Sequence, residues 1–164
     1  MSRPFLSAAA LAAAALVSPG AAAQSGNANW TVDFDDEIGA CWMQQEFNLD
    51  GGVTSSLTVD LPWDEDPLLI MRNSTWTMAE GDTSAEIWFS GDWQRTPDAT
   101  ASARFHQADG ITHVDVFISY DLVERMGRTE TLTVRVSGGP FERYAMGPTG
   151  GAVEDLLECD YWAF

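Results

Sequence analysis

Lysine is absent from this chain, and its eight basic residues, all arginine, face 25 acidic ones, a formal charge of −17. Such a surplus repels phosphate backbones and anionic lipid surfaces, which sets nucleic acid and membranes aside as partners and favours cations or basic proteins. Cysteine and histidine occur twice each, as Cys41, Cys159, His106 and His113. The longest apolar run extends only from Phe5 to Val17. That falls short of the about 20 residues a membrane-spanning helix needs, so no stable membrane insertion is expected. G-x-S-x-G, H-E-x-x-H, Walker and paired-glycine patterns are all missing, so no catalytic residue and no cofactor follow from motifs.

What is present begins with a leader. Arg3 precedes the apolar run, Ser18-Pro19-Gly20 breaks it, and Ala21-Ala22-Ala23 offers a small-residue cleavage site ahead of Gln24. Residues 1–23 are therefore expected to be a secretory signal peptide, 24–29 a flexible tail and 30–164 a single β-rich domain. An alanine-rich leader and arginine in place of every lysine point to a bacterial periplasm or the medium. In that oxidising setting two cysteines default to one disulfide rather than a redox or metal pair.

Period-2 alternation dominates the remainder. Trp30, Val32 and Phe34 mark a first strand, and Cys41, Met43, Phe47 and Leu49 line one face of a second. Val53, Leu57 and Val59 keep the same parity, which requires an odd loop, read as three residues closed by Leu49 and Val53. Pro67–Met71 is a continuous apolar run, expected to be a central strand covered on both faces. Ala85, Ile87 and Phe89 mark another strand, and residues 100–107 and 111–119 flank the hairpin signal Asp109-Gly110. Strands around Leu132–Val136 and Phe141–Met146 follow, with short helices expected near 121–126 and from about Gly151 to Cys159. The sum is a mainly β fold, an antiparallel β-sandwich or small barrel of roughly eight or nine strands with a short C-terminal helix.

Cys41 lies on the inward parity of its strand and Cys159 on the apolar stripe of the last helix, so a bond between them would pin helix to sheet. A reactive thiol pair would need proximity in sequence or a basic environment, and neither is visible. The segments NWTV (29–32), IGACWM (38–43) and GPTGGAVEDLLEC (147–159) resemble small exported proteobacterial proteins of unknown function. More distantly, the layout is similar to the invasion-associated locus B family. The resemblance implies export, a β-rich fold and the disulfide, and it transfers no catalytic residue.

Three constellations are candidates for function. A two-residue turn at Asp109-Gly110 places His106 opposite His113 and Arg104 opposite Asp115 on one face, so His106, His113 and Asp115 could begin a zinc or copper site. Two strong ligands are fewer than zinc requires, and a solvated polar face is the simpler reading. The acids Asp33, Asp35, Asp36 and Glu37, and Asp64-Glu65-Asp66, lack the spacing of an EF-hand loop and read as solvated turns. Seven tryptophans are many for this length. Trp42 and Trp88 oppose the core parity of their strands, while Trp63, Trp76 and Trp93 fall in or beside loops. Aromatic faces beside carboxylates suit a protein, peptide or glycan ligand, unless loops or the last helix cover them.

The expected function is thus that of an exported, disulfide-stapled β-domain acting as a non-catalytic binding or interaction module. A small exported hydrolase with an unidentified site is one alternative. The terminal Tyr161-Trp162-Ala163-Phe164 suggests another, an eight-stranded outer-membrane barrel, although Glu158 and Asp160 would then face lipid.

Overall fold

The computed structural model describes residues 24–25, 30–37, 39–48, 53–63 and 65–162. Ten strands form one sheet: β1 (Gln24–Ser25), β2 (Thr31–Asp35), β3 (Ala40–Asn48), β4 (Thr54–Pro62), β5 (Leu68–Asn73), β6 (Gly81–Trp88), β7 (Ala99–Ala108), β8 (Ile111–Phe117), β9 (Thr131–Val136) and β10 (Phe141–Ala145). Their spatial order is β1-β10-β9-β6-β7-β8-β5-β4-β3-β2, and every neighbouring pair is antiparallel except β1 with β10. Helix α1 (Tyr120–Met126) connects β8 to β9, and α2 (Gly150–Trp162) follows β10. The expected mainly β, antiparallel fold with a short C-terminal helix is what forms, as a sheet curled into a half-barrel.

Alternation explains where the core lies. Met43, Phe47, Leu57, Val59, Leu69, Met71, Val114, Val116, Ile87, Leu132 and Val134 share the concave face and are buried, with Val123 and Met126 of α1 and Val153 and Leu156 of α2 packed among them. The curl carries strands from opposite ends of the sheet together across this interior. The rings of Phe47 on β3 and Tyr144 on β10 stand 5.2 Å apart, and Trp30 Nε1 donates to the carbonyl of Met146 at 3.2 Å.

Cys41 and Cys159 form the disulfide, with Cα atoms 6.0 Å apart and 118 positions of separation. It fixes α2 over β2 and β3. Closing so long a loop stabilises by up to about 5 kcal/mol in the chain-entropy account.

The β7–β8 hairpin follows from two backbone positions. Asp109 (φ 53°) and Gly110 (φ 74°) both occupy the left-handed region, the requirement of the two-residue turn whose twist matches its strands. Ala108 then pairs with Ile111, His106 with His113 and Arg104 with Asp115. Between β3 and β4 the same-parity register is Met43 opposite Val59 and Asn48 opposite Thr54. The loop expected between Leu49 and Val53 lies outside the described residues, as do the proposed leader (1–23), residues 26–29, Asp64 and the last two residues.

Three features differ from expectation. Gln24 and Ser25, assigned to a tail, form β1 beside Tyr144 and Ala145 of β10. The run Pro67–Met71 is central but not covered on both faces: Leu69 and Met71 point into the core, while Leu68 and Ile70 are half-buried on the convex face, which no second sheet layers among the described residues. Residues up to Trp162 are helical, where a closing barrel strand would have to be extended.

Candidate functional site: the convex face

Residues of opposite parity to the core meet in rows across the convex face. Asp33 on β2 lies opposite Trp42 on β3, Trp42 opposite Asp60 on β4, Asp60 opposite Leu68 on β5, and Leu68 opposite Phe117 on β8. Directly opposed side chains have Cβ atoms about 4.5–5.5 Å apart, so the Trp42 indole has a carboxylate on each side. Beside this row runs Thr58, Ile70, Asp115 and Arg104, and beyond it Arg72, His113 and His106.

Asp60 is the most perturbed acid of the face. Its burial, then the negative charges of Asp35 and Asp115, push its pKa up to about 6. Its Oδ1 is enclosed and accepts no hydrogen bond. Sequence reading missed Asp60, because a lone acid at an outward strand position looks like any solvated carboxylate. Only the register brings Trp42 against it, and only the fold brings up Asp35 and Asp115.

Asp115 is 4% exposed, and its Oδ2 lies 3.2 Å from Arg104 Nη2 and 3.0 Å from His106 Nδ1. The His106 and His113 rings are 5.0 Å apart, tilted by 39°. Burial, then the neighbouring His106 and Arg72, lower the pKa of His113 and favour its neutral ring. The structure thus brings together all four residues that the turn placed on one face. Among the described residues no three His, Cys, Asp or Glu side chains converge as a complete metal-ligand set.

The five tryptophans are not gathered into one surface. Trp42 is half-buried on the convex face, and Trp63, 52% exposed, lies against Gly39 at the β2–β3 turn. Trp88 is buried: its Nε1 donates to the carbonyl of Arg95 in the loop after β6, and the Arg135 guanidinium lies 5.3 Å from its ring centre. Trp76 packs against the core, and Trp93 meets Phe141 edge-on at 5.3 Å. Parity placed Trp88 on the convex face correctly, but the β6–β7 loop covers it.

Two shallow hollows open further along this side. One, of about 470 Å³, is lined by Ser84, Glu86, Thr100, Arg135, Val136, Ser137 and Gly138, with Glu86 and Arg135 ion-paired to each other. The other, of about 390 Å³, includes Asp66, Thr100, Ser102, Phe117 and Ser119. Their polar groups are mostly hydroxyls and a satisfied ion pair, suited to hydrogen bonding.

Among the described residues no helix is long and apolar enough to cross a membrane. No protein-family model matches the chain, and no curated protein and no solved structure matches it either.

Proposed function

We propose that this chain is an exported, disulfide-stapled β-domain that acts as a non-catalytic binding module for a basic polypeptide segment. The leader-like residues 1–23, the resemblance to exported proteobacterial proteins and the intrachain disulfide support export, since such bonds persist in oxidising compartments. The observation that carries the binding reading is the row Asp33–Trp42–Asp60. An aromatic face between two carboxylates offers an arginine or lysine side chain a cation–π contact and an ion pair at once. Asp60 adds a reason for occupancy. It is a partly buried acid crowded by Asp35 and Asp115, and a docked cation relieves that repulsion. The chain's charge of −17 steers a basic partner toward the domain.

Calorimetric titration with an oligo-arginine peptide tests this reading. Trp42→Ala should weaken binding roughly five- to tenfold, the scale of a partly desolvated cation–π contact. Trp93→Ala, whose ring is engaged by Phe141, should leave it unchanged. Equal affinities for the two variants would contradict the proposal. Because binding favours ionised Asp60, the peptide should also bind more tightly at pH 7.5 than at pH 5.

A further inference from the structure

The two histidines form a second constellation on the convex face, beyond Asp115, which bears both on them and on Asp60 of the Trp42 row. Asp109-Gly110 locks the hairpin register, so His106 and His113 are directly opposed rather than adjacent by chance of rotamer. Two imidazoles sharing one tetrahedral ion, with metal–nitrogen bonds of about 2.0–2.1 Å, place their ring centres about 5 Å apart. The observed separation is 5.0 Å. Nε2 of His113 is enclosed and has no hydrogen-bond partner, so its strongest donor atom is unused. Nδ1 of His106 faces Asp115 Oδ2 at 3.0 Å. The contact lacks hydrogen-bond geometry, so Asp115 acts there through its charge, and Nε2 is the ring nitrogen left for an ion.

We infer that the His106–His113 pair is a binding site for a divalent transition-metal ion of the zinc or copper class. The ring nitrogens of His106 and His113 are the two protein ligands, Asp115 supplies the nearest negative charge, 3.0 Å from His106 Nδ1, and water completes the coordination. Imidazole donors select such ions over calcium or magnesium, which prefer oxygen. With two protein ligands the ion is exchangeable rather than a structural staple. Two cations bear on the site. Arg104 is held by Asp115, with its guanidinium carbon 5.8 Å from the centre of the Phe117 ring. Arg72, opposite His113 on β5, sets a positive charge against the ion.

The test is titration of the untagged protein with Zn²⁺ and Cu²⁺ against a chromophoric chelator, with the histidine ring signals followed by NMR. One ion per chain should bind, shift both histidines and resist competition by excess Ca²⁺. Binding should be lost in His106→Gln and in His113→Gln, and should tighten several-fold in Arg72→Gln, with thermal unfolding confirming that each variant folds. Should a histidine variant fail to fold, the ring signals of the unaltered protein decide the matter alone. No shift in either histidine, or an affinity indifferent to the histidine substitutions, would overturn the inference and assign any bound ion to surface carboxylates.

Discussion

Replacing Asp60 by asparagine should stabilise the protein at neutral pH and leave it nearly unchanged near pH 4. Asp60 carries a folded pKa of about 6 against an ordinary value of 3.8, first because of burial and then because of Asp35 and Asp115. An acid whose pKa is raised by folding opposes the folded state once ionised. The cost is absent below about pH 4, grows between pH 4 and 6, and is complete above that. At 1.36 kcal/mol per unit the shift corresponds to about 3 kcal/mol. Asp60 is only partly buried, and solvent screening reduces this to about 1 kcal/mol. For a domain of this size that is a rise in Tm of about 3–4 °C. Thermal unfolding of both proteins at pH 7.5 and pH 4, followed by circular dichroism, reads the difference. A gain of the same size at both pH values would refute the electrostatic argument, and so would a loss at pH 7.5.

Other consequences are as direct. Thiol titration of the unfolded, unreduced protein should find no free cysteine, and Cys159→Ser should speed amide exchange throughout α2 while leaving the central strands protected, at a cost of up to about 5 kcal/mol. Gly110→Ala should destabilise by about 1–2 kcal/mol in denaturant titration. The added Cβ would meet no atom within 4 Å there, so backbone strain at φ 74° is the whole effect, and a change of only a few tenths would refute it. Intact-mass measurement of the exported protein should show cleavage between Ala23 and Gln24, and a retained leader would remove the argument for compartment.

How far the sequence could be read depended on whether a position's neighbours were local. Asp109-Gly110 dictates its own turn, so the opposition of His106 to His113 and of Arg104 to Asp115 was legible from the residues alone. Shared parity in Cys41, Met43, Leu57 and Val59 likewise set the β3–β4 face. Coverage was not legible. Parity put Trp88 and Trp42 on the convex face alike, yet Trp88 is sealed by the loop whose Arg95 carbonyl its indole meets, while Trp42 stays half-buried. The two residues of β1 have no periodicity to read and owe their strand to the edge that β10 offers. Asp60 needed the most distant information, because its perturbation comes first from burial and then from Asp35 on β2 and Asp115 on β8, 25 and 55 positions away in sequence on either side.

Whether the convex face between β2 and β5 is the binding surface can be decided by mapping backbone amide shifts on adding an oligo-arginine peptide. The largest changes should fall at Asp33, Trp42, Asp60 and Leu68, with the loop after β6 and the exposed side of α2 unaffected. Changes spread evenly over every acidic segment, including Asp121, Glu124, Glu154 and Asp155 on the helices, would mean attraction to net charge without a site, and would contradict the assignment of this face.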